Sequence, residues 1–95
     1  MESMRTPEVE QLLDVFCKMR DKDDVYALLI DLFTVREIKE TSKRLVVAKM
    51  LYDGKPYSFI EENTGVSAAT IARVSKCLNY GEGGYHAALR ILREE

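Results

Sequence analysis

The residues of this chain best fitted to chemistry lie close together, and the chemistry they suit is recognition of a polyanion. Ser67, Ala68, Ala69, Thr70, Ala72, Arg73 and Lys76 present small residues first and cations later. A helix that reads DNA needs that order, because its leading end must approach base edges closely while cations further along meet phosphates. Ala68 and Ala69 offer methyls to thymine methyls, Thr70 a hydroxyl to a base edge or phosphate, and Arg73 and Lys76 charge to phosphate. Ser58 adds a hydroxyl nine residues upstream of Ser67. Bond-making chemistry has no comparable support. His86 is the only histidine, with no carboxylate at ligand spacing. No nucleophile and base stand at readable spacing. Gly81, Gly83 and Gly84 follow a helix instead of opening one after a strand, so they do not form a phosphate cradle. No enzyme is expected, and no resident cofactor or metal.

Two short helices joined by a tight turn must position these residues. Ser58-Phe59-Ile60-Glu61 has the Ser-x-x-Glu form of a capping box, in which hydroxyl and carboxylate each satisfy a free backbone N–H. Gly65 accepts a positive φ at little steric cost, so a helix of about six residues ends there and a second restarts from Ser67. Ile60, Val66, Ile71, Val74 and Leu78 supply the apolar seam between the pair. The spacing predicts a helix-turn-helix over about residues 58–78.

The rest of the chain reads as further helices. Thr6 before Pro7 is a cap with proline at the first helical position, and Val9, Leu12, Leu13, Phe16 and Met19 mark one face of a helix over about 7–20. The acidic cluster Asp21-Lys22-Asp23-Asp24 interrupts the pattern and caps a second helix over about 24–32, broadly apolar through Val25, Leu28, Leu29, Leu32 and Phe33. Two helices this apolar in so short a chain predict a second copy as the covering neighbour. Thr34-Val35-Arg36-Glu37 is another capping box and opens the longest helix, about 35–53, which Gly54 closes. Glu40 and Arg44 are spaced to pair on its solvated face. A glycine-rich link, flexible in isolation, leaves the last helix, about 85–93, free to choose its packing angle. No strand-like alternation occurs, so six helices are expected.

Ninety-five residues with 46% apolar content suit a single helical domain, residues 1–95, with the helices at about 7–53 and 85–93 available for dimerisation. No run of about 18 apolar residues occurs and the segment Met1 to Arg5 lacks an apolar signal core, so no membrane partner and a cytoplasmic location are expected. Cys17 and Cys77 make neither a zinc pattern nor a disulfide framework and are expected as buried fillers. The net charge of −2 is unevenly spread. Residues 1–31 hold four cations against eight anions, whereas residues 32–55 hold six cations against three anions, immediately before the helix pair. A local basic face, more than the total, governs attraction to phosphate.

From Thr34 to Leu78 the sequence resembles the tryptophan repressor family, and within it the shorter repressor-like relatives. Gly65-Val66-Ser67-Ala68-Ala69-Thr70-Ile71-Ala72-Arg73-Val74-Ser75 is similar, without a gap, to the family's turn and reading helix. Ala69, Thr70, Ile71, Arg73, Ser75 and Leu78 are identical to the repressor's residues at those places. Upstream, Thr34 to Gly54 fits with one residue fewer between Gly54 and Gly65. The resemblance implies a six-helix, intertwined homodimer whose reading helices enter successive major grooves of a palindromic operator in double-stranded DNA. It also implies a small-molecule corepressor. The family's pocket arginines fall on Arg44 and Arg73, and a threonine contributing through its backbone falls on Thr34. The glycine that leaves room for the indole falls on Val74, and the serine near the ligand's amino group on Cys77. Overfilling a packed site typically costs about 1–3 kcal/mol, so tryptophan in the family's usual pose is not expected. A different, amino-acid-like effector and a reader with no effector are the two expectations left open. A second departure is Glu61, with Glu62 beside it, where a small residue is usual. With the acidic total, these anions favour the alternative of a protein-interaction module on the same scaffold without DNA.

Overall fold

Thr6 and Pro7 open the first helix as their types require: the Thr6 hydroxyl accepts from the Val9 amide at 3.3 Å, and proline occupies the first turn, where no helical N–H is needed. A computed structural model describes residues 4–94, so the reading made on Met1 to Ser3 lies outside the described residues. Among them are six helices and no strand: α1 Pro7–Lys18, α2 Lys22–Leu32, α3 Val35–Tyr52, α4 Tyr57–Thr64, α5 Ala68–Tyr80 and α6 Gly84–Glu94. They fall into two compact units that part between Ile38 and Lys39.

In the first unit, α1 stops at Lys18, two residues earlier than the apolar stripe suggests, with the Met19 amide closing on the Val15 carbonyl at 3.0 Å. α2 begins two residues earlier than expected. The Asp21 carboxylate accepts from the amides of Asp23 at 2.8 Å and Asp24 at 3.3 Å, so the first aspartate of the cluster is the cap and the others lie inside the helix. Neither helix buries a residue: Leu12, Leu13 and Val15 on α1 and Tyr26, Ile30 and Leu32 on α2 stay exposed. The Thr34 capping box forms as predicted. The Thr34 amide donates to Glu37 Oε1 at 2.9 Å and the Glu37 amide donates to Thr34 Oγ1 at 3.1 Å.

The second unit holds the core. Val47 and Ala48 on α3 pack with Ile60 on α4 and with Ile71 and Val74 on α5; Met50, Leu51, Val66 and Tyr85 lie half-buried against them. Full burial of a side chain such as Ile60 or Ile71 contributes about 1.5–3 kcal/mol. Leu78 and Leu89 extend the buried set along α5 and α6. α3 ends in a left-handed Gly54 at φ 82°, whose amide donates to the Leu51 carbonyl at 3.0 Å, while the Lys55 amide donates to the Met50 carbonyl at 3.0 Å. These two bonds satisfy carbonyls that the helix end would leave open. No helix among the described residues is long and apolar enough to cross a membrane.

Candidate nucleic-acid interface

The turn between α4 and α5 is built locally. Gly65 adopts φ 71° and ψ 8°, and its amide donates to the Glu61 carbonyl at 2.9 Å. A side chain there would meet no neighbour but would have to enter the left-handed region, which costs roughly 1–2 kcal/mol. Thr64 braces both sides of the turn: its hydroxyl donates to the Ile60 carbonyl at 2.6 Å and accepts from the Val66 amide at 3.2 Å. Ser67 then caps α5, its Oγ accepting from the Thr70 amide at 3.2 Å. Its hydroxyl also lies 3.2 Å from Thr70 Oγ1, which leaves Thr70 half-buried beside the cap.

The upstream capping box does not form. Helical bonding in α4 starts at Pro56, whose carbonyl accepts from the Ile60 amide at 3.1 Å, and no side chain caps this end. Proline's fixed φ, here −71°, presets the chain one residue before Tyr57 enters the helix. Ser58 is therefore already inside the first turn, exposed, with its backbone helical instead of extended as a cap requires.

Ile71, Val74 and Leu78 turn one side of α5 into the protein, and Ser67, Ala68, Ala69, Ala72, Arg73 and Lys76 are all exposed on the other. Neither Arg73 nor Lys76 forms an ion pair among the described residues. At the start of α4 the Lys55 ammonium lies 5.1 Å from the centre of the Phe59 ring. Lys55 lies within the basic block of residues 32–55, and its spacing of four from an aromatic residue is the sequence signal for this contact. Glu61 and Glu62 are exposed on α4.

The residues assigned to a corepressor pocket have diverse surroundings. Val74 is 2% exposed and belongs to the core with Val47, Ala48, Ile60 and Ile71. Arg73 and Cys77, four apart on α5, are exposed. Arg44 is exposed and lies 3.9 Å from Glu40, the pairing its spacing predicts. Thr34 belongs to the first unit, where its hydroxyl caps α3. Cys17 and Cys77 are both free and exposed, which corrects the expectation of buried fillers. Their positions in the helical repeat outweigh the usual preference of the thiol for burial. No cluster of three or more metal-ligating side chains occurs among the described residues.

A short α4, a left-handed glycine turn and an α5 with an exposed, lightly decorated face define a helix-turn-helix protein, all-α among the described residues. The chain belongs to the Trp repressor protein family, which it matches over residues 7–93. It is 40% identical over 94 residues to the uncharacterised protein YerC of Bacillus subtilis (strain 168), an alignment covering 99% of this chain and 90% of that protein. Among solved structures, a TrpR-like protein from Eubacterium eligens ATCC 27750 superposes with a TM-score of 0.88 at 42% identity, covering 94% of this chain and 92% of that one. A candidate Trp repressor from Staphylococcus aureus gives 0.89 at 36% identity, with coverage of 97% and 92%. The family is one of DNA-binding regulators and not of enzymes.

Proposed function

We propose that this protein is a sequence-specific, dimeric, cytoplasmic transcriptional regulator that reads a palindromic operator through the leading face of α5. The observation that carries this reading is the division of α5 into an anchored side, Ile71, Val74 and Leu78, and a bare exposed side, Ser67, Ala68, Ala69 and Ala72. Such a helix is held firmly enough to present base-reading groups and is free of bulk where it must enter a groove. Thr70 contributes a hydroxyl, Arg73 and Lys76 meet phosphate, and Ser58 and Lys55 meet the backbone from the start of α4. A second copy covers the apolar faces of α1 and α2, which bury nothing within one chain.

The effector side of the reading rests on Val74. Its side chain is fully enclosed by core neighbours where the family has a glycine, so tryptophan in the family's pose is not the effector. A different amino-acid-like molecule contacted by Arg44, Arg73 and Cys77, or no effector, is the alternative left. Exposed Glu61 and Glu62 favour one competing reading, a protein-interaction module without DNA.

Selection of bound sites from a random DNA pool, with and without a mixture of amino acids, decides between them. An enriched palindrome whose enrichment is independent of tryptophan is expected. No enrichment at low salt would overturn DNA reading in favour of the interaction module, and dependence on tryptophan would overturn the argument from Val74.

A further inference from the structure

Where α3, α5 and α6 meet, three side chains that take no part in the proposed DNA contacts form one cluster. Tyr52 is the last residue of α3. The Arg93 guanidinium, in the last turn of α6, lies 4.7 Å from the centre of the Tyr52 ring and donates from Nη1 to the Tyr52 hydroxyl at 2.7 Å. The His86 ring, in the first turn of α6, meets the same tyrosine edge-on, with ring centres 6.3 Å apart and planes at 76°. Its Nε2 lies 2.7 Å from the Leu78 carbonyl oxygen. A carbonyl only accepts, so Nε2 carries the hydrogen. That carbonyl is in the last turn of α5, where helix carbonyls lack intrahelical partners.

The cluster therefore ties the ends of α3 and α5 to both ends of α6. Residues seven apart share a helical face, so the one ring of Tyr52 spans α6 from His86 to Arg93. The link between α5 and α6, residues 81–83, holds two glycines and would not by itself set their angle. Gly81 ends α5 so tightly that a Cβ there would stand 2.2 Å from the Cys77 carbonyl oxygen. The side-chain cluster begins one turn on.

We propose that Tyr52, His86 and Arg93 form a latch that positions the reading helix and so sets the half-site spacing the protein accepts, an inference that rests on the dimeric DNA reading above. α6 leaves Ile91 and Leu92 exposed on the surface available to a second copy, whereas α5 carries the reading face. The latch joins the two. From Leu78 to Ala68 the helix is a lever of about 15 Å, so a tilt of about 10° at its latched end moves the leading residues by roughly 2.5 Å. One base-pair step is about 3.4 Å, so that tilt is a large part of one step. Ile71 and Val74 hold the middle of α5 and the buried Leu78 packs its end, and the latch fixes the angle of that end against α3 and α6.

The test uses the full chain and its selected palindrome, with operators one base pair longer and one shorter between half-sites. The unaltered protein is expected to discriminate against both. His86→Ala should reduce that discrimination about fivefold, the worth of one hydrogen bond. His86→Gln, whose amide N–H also reaches the Leu78 carbonyl, should retain most of it, and Tyr52→Phe should lose part by removing the acceptor of Arg93. Circular dichroism below each unfolding midpoint establishes that the variants are folded. Unchanged discrimination in His86→Ala, equal weakening at every spacing, or His86→Gln behaving like His86→Ala would overturn the latch while leaving DNA reading intact. Failure of the unaltered chain to select any palindrome would overturn both.

Discussion

Ala69 is exposed on the leading turn of α5, on the face proposed to read DNA, and supports no part of the core. Ala69→Glu should leave the melting temperature within a degree or two and weaken operator binding at least about tenfold, because it places an anion against DNA phosphates. Fluorescence anisotropy on the selected site measures this, and unchanged affinity would remove α5 from the interface. The same helical repeat explains which single-residue expectations held. Ile60, Ile71, Val74 and Leu78 are buried as their spacing requires. Cys77 is exposed because it stands four residues from Arg73, on the outer face. Position within the repeat was the better guide there, and residue type the worse.

The two capping boxes compare the same four-residue pattern in two settings. At Thr34 the box closes, and the Thr34 backbone N–H, followed by its hydroxyl, holds the Glu37 carboxyl below its ordinary value of 4.5. At Ser58 it does not, because Pro56 starts α4 too early for Ser58 to be the cap. The sign of the pH effect follows from the lowered value. The folded chain binds the proton on Glu37 less readily than the unfolded chain, so the box stabilises α3 fully above the ordinary glutamate range and loses that contribution as the pH falls through the lowered value. Denaturant unfolding should find Glu37→Ala less stable than the unaltered chain at pH 7, with the gap closing in strong acid.

The whole molecule is organised by what one chain leaves uncovered. α1 and α2 bury no residue, and Ile91 on α6 is 62% exposed. Light scattering should give twice the chain mass of 10.9 kDa. Ile91→Glu tests the cause: on a monomer's surface such a change is usually worth within about 0.5 kcal/mol, whereas inside a shared apolar interface it buries a charge. The expected result is a folded monomer with reduced operator affinity, and a single-chain mass for the unaltered protein would remove the second copy from the reading. Operator affinity should also fall steeply as salt rises, despite the acidic total, because phosphate contacts release counterions.

The helix-turn-helix of residues 57–80, with Gly65 at its turn and Ser67 at its second cap, was determined by the sequence itself, as were the caps at Thr6 and Thr34 and the glycine stop at Gly54. These features depend on bonds between residues at most five apart, so local residue types suffice. Only the tertiary structure decided how the last helix is held. The Arg93 to Tyr52 bond joins residues 41 apart, and no local pattern in either segment announces the other. The glycine link leaves the angle of α6 open, and contacts distant in sequence close it. The same holds for Val74: its spacing marked it as apolar, but its enclosure by Val47 and Ala48 of α3 comes from packing between helices.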